Sequence, residues 1–304
     1  MKKFLIKGIF VFLTFALVLC VMTRMAYKSE FKRLKRNLTF PKNILAAAVG
    51  DSRVEVYFDP DEIPWMRNLG MSAMPFTVSA KVAKLSAILN PDLKLLVVDV
   101  WPDKFFENLS CPYSDGYTPN IIALFELMTR KDMRPPGDGF PVRLSAGVLN
   151  PWLKNTFSPS DYGRCMVGGF FKNRKTIKPE WFNIENMRKI KFGPPEEPVA
   201  LPGVPTGGEI VLEHLLSDLS QYDIHVVLTS TPILWYEYRW TEEARNYFER
   251  RMREISEKFN VPWYNWMHWY QNQAEYWADG THLNDIGAKV FSRDVRKILE
   301  RYVK

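Results

Sequence analysis

The segment LKLLVVDV, residues 93–100, is apolar at every position except Lys94 and Asp99. A strand with one face in water alternates apolar and polar residues, whereas a strand covered on both faces reads as a nearly continuous hydrophobic run. The segment therefore predicts a buried strand of a parallel sheet. Because such a sheet needs apolar cover on both sides, it also predicts a helical layer on each face.

The residues before this segment complete a strand–helix–strand unit. NILAAAVG, residues 43–50, reads as a short buried strand, and TVSAKVAKLSAILN, residues 77–90, reads as a helix that Pro91 and Asp92 end. Two parallel strands joined by a helix require a right-handed crossover. The amino-terminal part of the domain is therefore predicted to be a βαβ unit.

The same alternation returns in the carboxyl-terminal part of the chain. Helices are predicted at 209–221, 240–259 and 284–302, and strands at 224–232 and 261–266. Strands that alternate with helices are typical of one parallel sheet between two helical layers. The predicted fold class is therefore α/β, in a single domain from about residue 43 to residue 304.

The middle of the chain interrupts this pattern. A helix is expected at 117–130, but residues 131–208 are rich in turn signals and contain the irregular stretch GPPEEPVALPGVPTGG. Since α/β patterning resumes afterwards, we interpret 131–208 as an insertion within one domain. Cys111 and Cys165 are the only cysteines outside the amino-terminal segment. Whether they form a disulfide is left open, because the sequence does not fix their separation.

Residues 1–23 have the composition of a signal anchor. Lys2 and Lys3 precede an apolar run at 4–22 that only Lys7 interrupts. As a helix this run is about 28 Å long, close to the hydrocarbon thickness of a bilayer. No clean small-x-small site follows, so we expect an uncleaved single-pass anchor in the inner membrane, although cleavage after TRMA stays open. The domain is then expected on the periplasmic, extracytoplasmic side.

Much of the net excess of positive charge lies beside this anchor. The 304 residues carry a formal net charge of +7, and the linker at 24–42 holds a cluster made of Lys28, Lys32, Arg33, Lys35 and Arg36. A basic cluster next to a membrane helix explains this charge without nucleic acid, for which no recognition motif is visible. The remaining chain is long and apolar enough to bury one sizeable core.

Two short motifs place reactive residues at the ends of predicted elements. Reactive groups of parallel α/β sheets collect at the carboxyl ends of the strands. Ser52 follows the first predicted strand in the sequence Gly50-Asp51-Ser52, and Asp279 and His282 precede the last helix. An imidazole and a carboxylate in one loop are the base and the orienting group of a serine triad. Ser52, His282 and Asp279 are therefore the candidate catalytic residues.

These motifs resemble blocks one and five of the SGNH/GDSL hydrolases. In that family the serine comes early, the Asp-x-x-His pair comes late, and the domain is a flavodoxin-like three-layer α/β/α fold. The resemblance extends over about residues 43–304 without the insertion. It implies a serine esterase or acyltransferase with no cofactor and no metal. An anchored member is most similar to the proteins that acylate cell-envelope polymers, such as those of polysaccharide O-acetylation and teichoic acid D-alanylation.

The other blocks of the family are matched less well. The second block contributes a glycine N–H to the oxyanion hole, and the resemblance assigns this hole to the N–H groups of Ser52 and Gly70, although Gly70 can also be a turn glycine. The third block, Gly-x-Asn-Asp, is not matched, since WPD at 101–103 stands at the corresponding strand end. The loss of one oxyanion donor typically costs about 10²–10³ in rate.

Three further residues are candidate substrate contacts: Arg53, Trp101 and His268. Arg53 directly follows the nucleophile, where it can hold an anionic group or pair with a carboxylate. The two other histidines, His214 and His225, fall within a predicted helix and a predicted strand and are interpreted as packing or surface residues.

The expected substrate is an acylated carbohydrate or polymer of the cell envelope, with a membrane acyl-donor protein as a candidate partner. Water as the acceptor makes an esterase and a sugar hydroxyl makes a transferase, and the triad does not distinguish them. Two alternatives stay open. The missing third block is compatible with a non-catalytic envelope-binding protein, and the aromatic residues of 235–277 with a lipid-directed esterase.

Overall fold

The computed structural model describes residues 14, 38–71, 74, 76–106, 205–235 and 240–304. Apart from Thr14, these residues belong to one compact unit, Leu38–Ser114 with Met166–Lys304. Most of the predicted anchor and linker, the predicted helix at 117–130 and both Cys111 and Cys165 lie outside the described residues. Within the described ranges, no helix is long and apolar enough to cross a membrane.

Five parallel strands form one sheet, which confirms the predicted α/β class. They are β1 (Ala46–Val49), β2 (Met66–Asn68), β3 (Leu95–Asp99), β4 (His225–Ser230) and β5 (Trp263–Asn265), in the spatial order β2-β1-β3-β4-β5. This is the strand order of flavodoxin-like sheets. The order reverses between β1 and β3, which pair with Ala48 opposite Val97. A parallel sheet opens a crevice at this point, beyond the carboxyl ends of the two strands.

Six helices connect and cover the strands of the described chain. They are α1 (Ser52–Tyr57), α2 (Phe76–Leu89), α3 (Pro102–Phe105), α4 (Gly207–Leu219), α5 (Glu242–Phe259) and α6 (Asp285–Leu299). Two short 3₁₀ helices, Ala274–Tyr276 and Glu300–Tyr302, flank α6.

Alternate residues of the strands face two separate helical layers. Ala48, Val97 and Val227 share one hydrophobic cluster with Val54 of α1 and Phe291 of α6. Successive side chains of a strand point to opposite faces, and every residue of β3 is buried, so the second face is covered as well. On that side α2 packs against α4 and α4 against α5. The sheet is therefore covered on both sides, as the apolar run at 93–100 predicts.

Three elements were not predicted from the sequence: β2, α1 and α3. The three residues of β2 include no β-branched side chain, and they form a strand because they pair with β1. The sequence of α1, SRVEVY, alternates like a strand but begins at an N-cap, where the Asp51 carboxylate accepts from the Arg53 N–H at 3.1 Å.

The helix that the sequence predicts from residue 209 begins slightly earlier. It is α4, which starts at Gly207, whereas residues 131–204 of the predicted insertion lie outside the described residues. A capping box explains the earlier start, because the Thr206 hydroxyl accepts from the Glu209 N–H and the Glu209 carboxylate accepts from the Thr206 N–H. Because this stretch is rich in glycine and proline, its composition does not reveal where the helix begins.

Candidate active site

Ser52 stands between the first strand and the first helix. β1 ends at Val49, and Ser52 is the first residue of α1 after the N-cap Asp51. Ser52 is only partly buried, unlike Asp51 and Arg53 on either side of it. This is the carboxyl end of β1, beside the point where the strand order reverses, and it is where the sequence places a reactive group.

The structure brings the three predicted triad residues together. Ser52 Oγ lies 2.8 Å from His282 Nε2, across 230 positions of the chain. On the other side of the ring, His282 Nδ1 lies 3.0 Å from each carboxylate oxygen of Asp279. The hydroxyl, the imidazole and the carboxylate thus form one continuous hydrogen-bonded row. This is the geometry in which an imidazole can accept a serine proton.

The loop that carries His282 is ordered by its own carboxylate. Asp279 Oδ1 accepts from the N–H groups of Thr281 and His282, at 2.8 and 2.9 Å, and from the Thr281 hydroxyl at 3.0 Å. The His282 carbonyl oxygen accepts from the Ala278 N–H at 2.9 Å, and this bond joins the two ends of the loop. The spacing Asp-x-x-His therefore fixes the backbone as well as the ring.

The charge of Asp279 suits an orienting role. Burial opposes its ionisation, but the hydrogen bond and charge of His282, with the bonds from Thr281, lower the pKa of Asp279 to about 2. Asp279 is therefore ionised near neutral pH and accepts a hydrogen bond from the protonated Nδ1 of His282. His282 Nε2 is then the acceptor nitrogen that faces Ser52.

A tryptophan and a glycine fix the other side of this loop. The backbone N–H of Trp235 donates to the Gly280 carbonyl oxygen at 3.2 Å. A Cβ atom on Gly280 would lie 1.7 Å from the indole ring of Trp235, so only glycine allows this contact. The loop after β4, which contains Trp235, therefore supports the loop that presents the imidazole.

The predicted oxyanion pair needs a correction at Gly70. The Gly70 N–H donates to the side-chain oxygen of Asn68 at 2.8 Å, so this donor is already taken within its own turn. A Cβ atom on Gly70 would lie 2.1 Å from the backbone nitrogen of Glu55. Gly70 thus allows the chain after β2 to pass close to α1, which is the turn alternative. Of the two predicted donors, only the Ser52 N–H remains, in the first turn of α1 where helical N–H groups lack intrahelical partners.

Trp101 is buried and bonds to Asp51, the N-cap residue of α1 that precedes Ser52. Its side chain is 7% exposed, and its indole N–H donates to Asp51 Oδ2 at 2.9 Å. The ring also packs edge-on against Trp240 at 5.5 Å. The described structure therefore shows Trp101 as a partner of the residue next to Ser52, in place of the predicted substrate contact.

Arg53 is buried in an ion pair and offers no surface to a substrate. It is 1% exposed, its Nη2 lies 3.0 Å from Asp99 Oδ2, and its guanidinium stacks on the Trp101 ring at 3.7 Å. The predicted contact with an anionic substrate is thus corrected to the alternative, a pair with a carboxylate.

The two carboxylates around Arg53 have different environments. Burial raises the pKa of Asp99 to about 6, against the lowering effect of Arg53. For Asp51 burial also opposes ionisation, but Arg53, Lys104 and two hydrogen bonds together bring the pKa below its usual value. Asp51 and Asp99 were not singled out from the sequence. One signal for Asp99 was present, because an acidic residue in an otherwise apolar run must find a partner when buried.

The remaining histidines lie away from this arrangement or on its rim. His268 is exposed in the loop after β5, where its Nδ1 lies 3.3 Å from the amide nitrogen of Gln271. His214 is exposed on α4, and His225 is exposed at the amino end of β4, opposite the reactive rim.

Fold and site together define a parallel α/β protein with a Ser–His–Asp arrangement at the carboxyl end of its sheet. The described residues contain no group of three or more His, Cys, Asp or Glu side chains that would hold a metal ion. No protein-family model matches this chain, and no curated protein matches it. The geometry of the site and the motifs in the sequence are therefore the observations that bear on function.

Proposed function

We propose that this protein is a membrane-anchored, exported serine esterase or O-acyltransferase of the SGNH type that acts on cell-envelope carbohydrate. The observation that supports the proposal most directly is the row from Ser52 Oγ through His282 to Asp279, with contacts of 2.8 and 3.0 Å. The motifs at both ends of the chain and the strand order of the sheet agree with the three-layer fold of that family.

The proposed first half-reaction forms an acyl-serine. His282 Nε2 accepts the proton of Ser52 Oγ while this oxygen attacks the ester carbonyl carbon. The carbonyl oxygen becomes an oxyanion, which the Ser52 N–H at the start of α1 helps to stabilise. As the tetrahedral intermediate collapses, the bond to the alcohol breaks and the alcohol oxygen takes the proton from Nε2. The acyl group then remains on Ser52.

The second half-reaction returns the enzyme to its starting state. Water or a sugar hydroxyl loses its proton to His282 Nε2 and attacks the acyl carbon. The bond to Ser52 Oγ breaks, and this oxygen takes the proton back. Throughout both steps Asp279 holds the imidazole in one orientation and stabilises its protonated form.

The envelope substrate follows from the location expected for the domain. A membrane anchor and a basic linker hold the site close to the membrane surface, where envelope polymers and membrane-bound acyl donors meet. A carbohydrate substrate also agrees with a chain that resembles the anchored acyl-transferring members of the family more than secreted lipases. These points rest on residues 1–42 and on resemblance.

One observation favours a second function, that of a non-catalytic envelope-binding protein. Gly70 uses its N–H inside a turn, and no Asn of a third block is present to replace it as an oxyanion donor. Of the two predicted oxyanion donors, the described residues leave the Ser52 N–H, and the loss of one such donor slows a serine hydrolase. A protein that binds and does not turn over would keep the same fold.

A serine-directed fluorophosphonate probe separates the two functions. The full chain in detergent is incubated with the probe, alongside Ser52→Ala and the control Ser220→Ala, which changes an exposed serine after α4. Labelling of the wild type and of the control, but not of Ser52→Ala, is expected for the enzyme. No labelling of any of the three would refute the catalytic proposal and favour binding.

A second experiment addresses the acceptor. Cells that carry the wild type or Ser52→Ala are compared for the acetyl content of their surface glycans. A change in glycan acetylation supports an envelope carbohydrate substrate. Unchanged glycans together with altered hydrolysis of lipid esters would instead identify the lipid-directed alternative.

A further inference from the structure

Tyr57 is a fully buried residue of the helix that also carries Ser52. Its side chain is 0% exposed, and its ring packs edge-on against Phe291 of α6 at 5.6 Å. A tyrosine hydroxyl in the interior needs hydrogen-bond partners, since an unpaired buried polar group is costly. The partners of this hydroxyl identify what Tyr57 does.

The Tyr57 hydroxyl contacts the backbone on both sides of His282. It lies 2.8 Å from the Thr281 carbonyl oxygen, and it accepts from the Leu283 N–H at 3.3 Å. A third contact, at 2.9 Å, reaches the carbonyl oxygen of Pro232 in the loop after β4. One hydroxyl proton serves two carbonyl groups here, and the oxygen serves one N–H. Three segments far apart in the sequence thus meet at one atom.

The hydroxyl also stays a donor across the working pH range. Burial raises the pKa of Tyr57 well above its ordinary value. The neutral phenol therefore keeps the proton that it shares between the two carbonyl oxygens. The raised pKa agrees with the hydrogen bonds that the Tyr57 hydroxyl makes, and the role of Tyr57 is assigned from those contacts.

We propose that Tyr57 is a positioning residue of the reaction, which holds the His282 backbone at a fixed distance from Ser52. Tyr57 and Ser52 belong to the same short helix, so a bond from this helix to residues 281 and 283 sets the position of the imidazole relative to the nucleophile. Among the described residues, Tyr57 contacts neither the Ser52 hydroxyl nor the His282 imidazole. The inference rests on the proposed serine chemistry.

The variant Tyr57→Phe removes the hydroxyl and keeps the ring. Misplacement of a reacting group by about 1 Å can cost about 10² in rate. We therefore expect the rate constant for fluorophosphonate labelling, and kcat for a small activated ester, to fall about 10- to 100-fold. KM should stay within about twofold, because the substrate does not contact Tyr57.

The variant Ser292→Ala is the matched control for loss of stability. The Ser292 hydroxyl donates to the Tyr57 carbonyl oxygen at 2.6 Å and accepts from the Asp59 N–H at 2.8 Å. Its removal loosens the same part of α1 against α6 but leaves the Tyr57 hydroxyl in place. We expect a lower thermal midpoint with a labelling rate close to that of the wild type. All rates are measured well below the midpoint of each variant.

The outcomes separate this proposal from the proposed function. A wild type that labels at Ser52, with Tyr57→Phe equally fast, overturns the role of Tyr57 and leaves the serine chemistry intact. Equal losses in Tyr57→Phe and Ser292→Ala also overturn it, because general loosening then explains both. A wild type that does not label removes the proposed function and this role with it.

Discussion

The two sides of Ser52 differ in how completely they match a serine hydrolase. On the histidine side, His282 Nε2 lies 2.8 Å from Ser52 Oγ, and Asp279 orders both the ring and the loop. On the oxyanion side, Gly70 bonds to Asn68 and the Trp101 indole bonds to Asp51. The Gly70 N–H and the Trp101 side chain were expected to face the substrate. They instead bond to residues that stabilise the position of α1.

This difference shows which kind of site a sequence motif can specify. The His282 side depends on one loop in which residues three positions apart contact one another, so the motif carries its own geometry. The oxyanion side depends on the direction of N–H groups in turns after separate strands. A glycine in a suitable place says little about whether its N–H is free.

The largest expected effect comes from breaking the proton transfer. Ser52→Ala and His282→Ala should each lower hydrolysis of a small activated ester by about 10⁴–10⁶, and the double variant should lose no more than either alone. The reason is that the nucleophile and its base act as one unit. Steady-state assays of the purified full chain check this. His282→Ala within tenfold of the wild type would contradict the triad.

A smaller loss is expected when the orienting carboxylate is neutralised. Asp279→Asn should lower kcat by about 10³–10⁴, so its residual rate should exceed that of Ser52→Ala. The amide no longer stabilises a protonated imidazole. The matched control is Asp218→Asn, which removes a carboxylate paired with Lys84 on the helical layer away from the site and should keep full activity. Asp279→Asn as inactive as Ser52→Ala would mean that the loop itself has collapsed.

On the oxyanion side, the close packing of Gly70 against α1 can be tested by substitution. Gly70→Ala keeps the backbone N–H but adds a Cβ atom 2.1 Å from the backbone nitrogen of Glu55, so the turn or α1 must shift. We expect the free energy of unfolding in urea to fall by about 2–3 kcal/mol. Arg67→Ala, at an exposed position of β2, should change it by less than about 0.5 kcal/mol. Unchanged stability of Gly70→Ala would show that the tight approach to α1 is not required.

The smallest expected effect is the pH dependence of stability from Asp279. The pKa of Asp279 is lowered to about 2 in the folded chain, whereas an unfolded aspartate titrates near about 3.9. Its contribution is therefore complete above about pH 4 and is lost as the pH falls towards about 2. Its side chain is 34% exposed, so screening reduces the contribution to about 1 kcal/mol. The difference in unfolding free energy between the wild type and Asp279→Asn should shrink over this window.

Most of the fold could be predicted because its signals are local. The apolar run of β3 and the periodic helices α2, α5 and α6 each show their structure within their own residues. β2 could not be predicted, since its three residues become a strand only through pairing with β1. α1 has the alternation of a strand, and its helical form depends on the Asp51 cap and on burial against α6.

The candidate site could be predicted only in part, for the same reason. Ser52, Asp279 and His282 stand in two short motifs whose order and positions are visible in the sequence. The contacts of Tyr57 with residues 232, 281 and 283, and the pairing of Arg53 with Asp99, join segments that lie far apart in the chain. No local pattern states which remote side chain a buried hydroxyl or guanidinium will meet.

The join between α3 and α4 has a consequence for how this chain can change. The Thr206 hydroxyl donates to the Phe105 carbonyl oxygen and the two helices pack together, so Phe105 and Thr206 are neighbours although they lie 101 positions apart in the chain. The entropy of closing a loop rises only with the logarithm of its length, about 0.6 kcal/mol for each doubling. The closure entropy of the chain between Phe105 and Thr206 therefore sets little limit on the length of that segment.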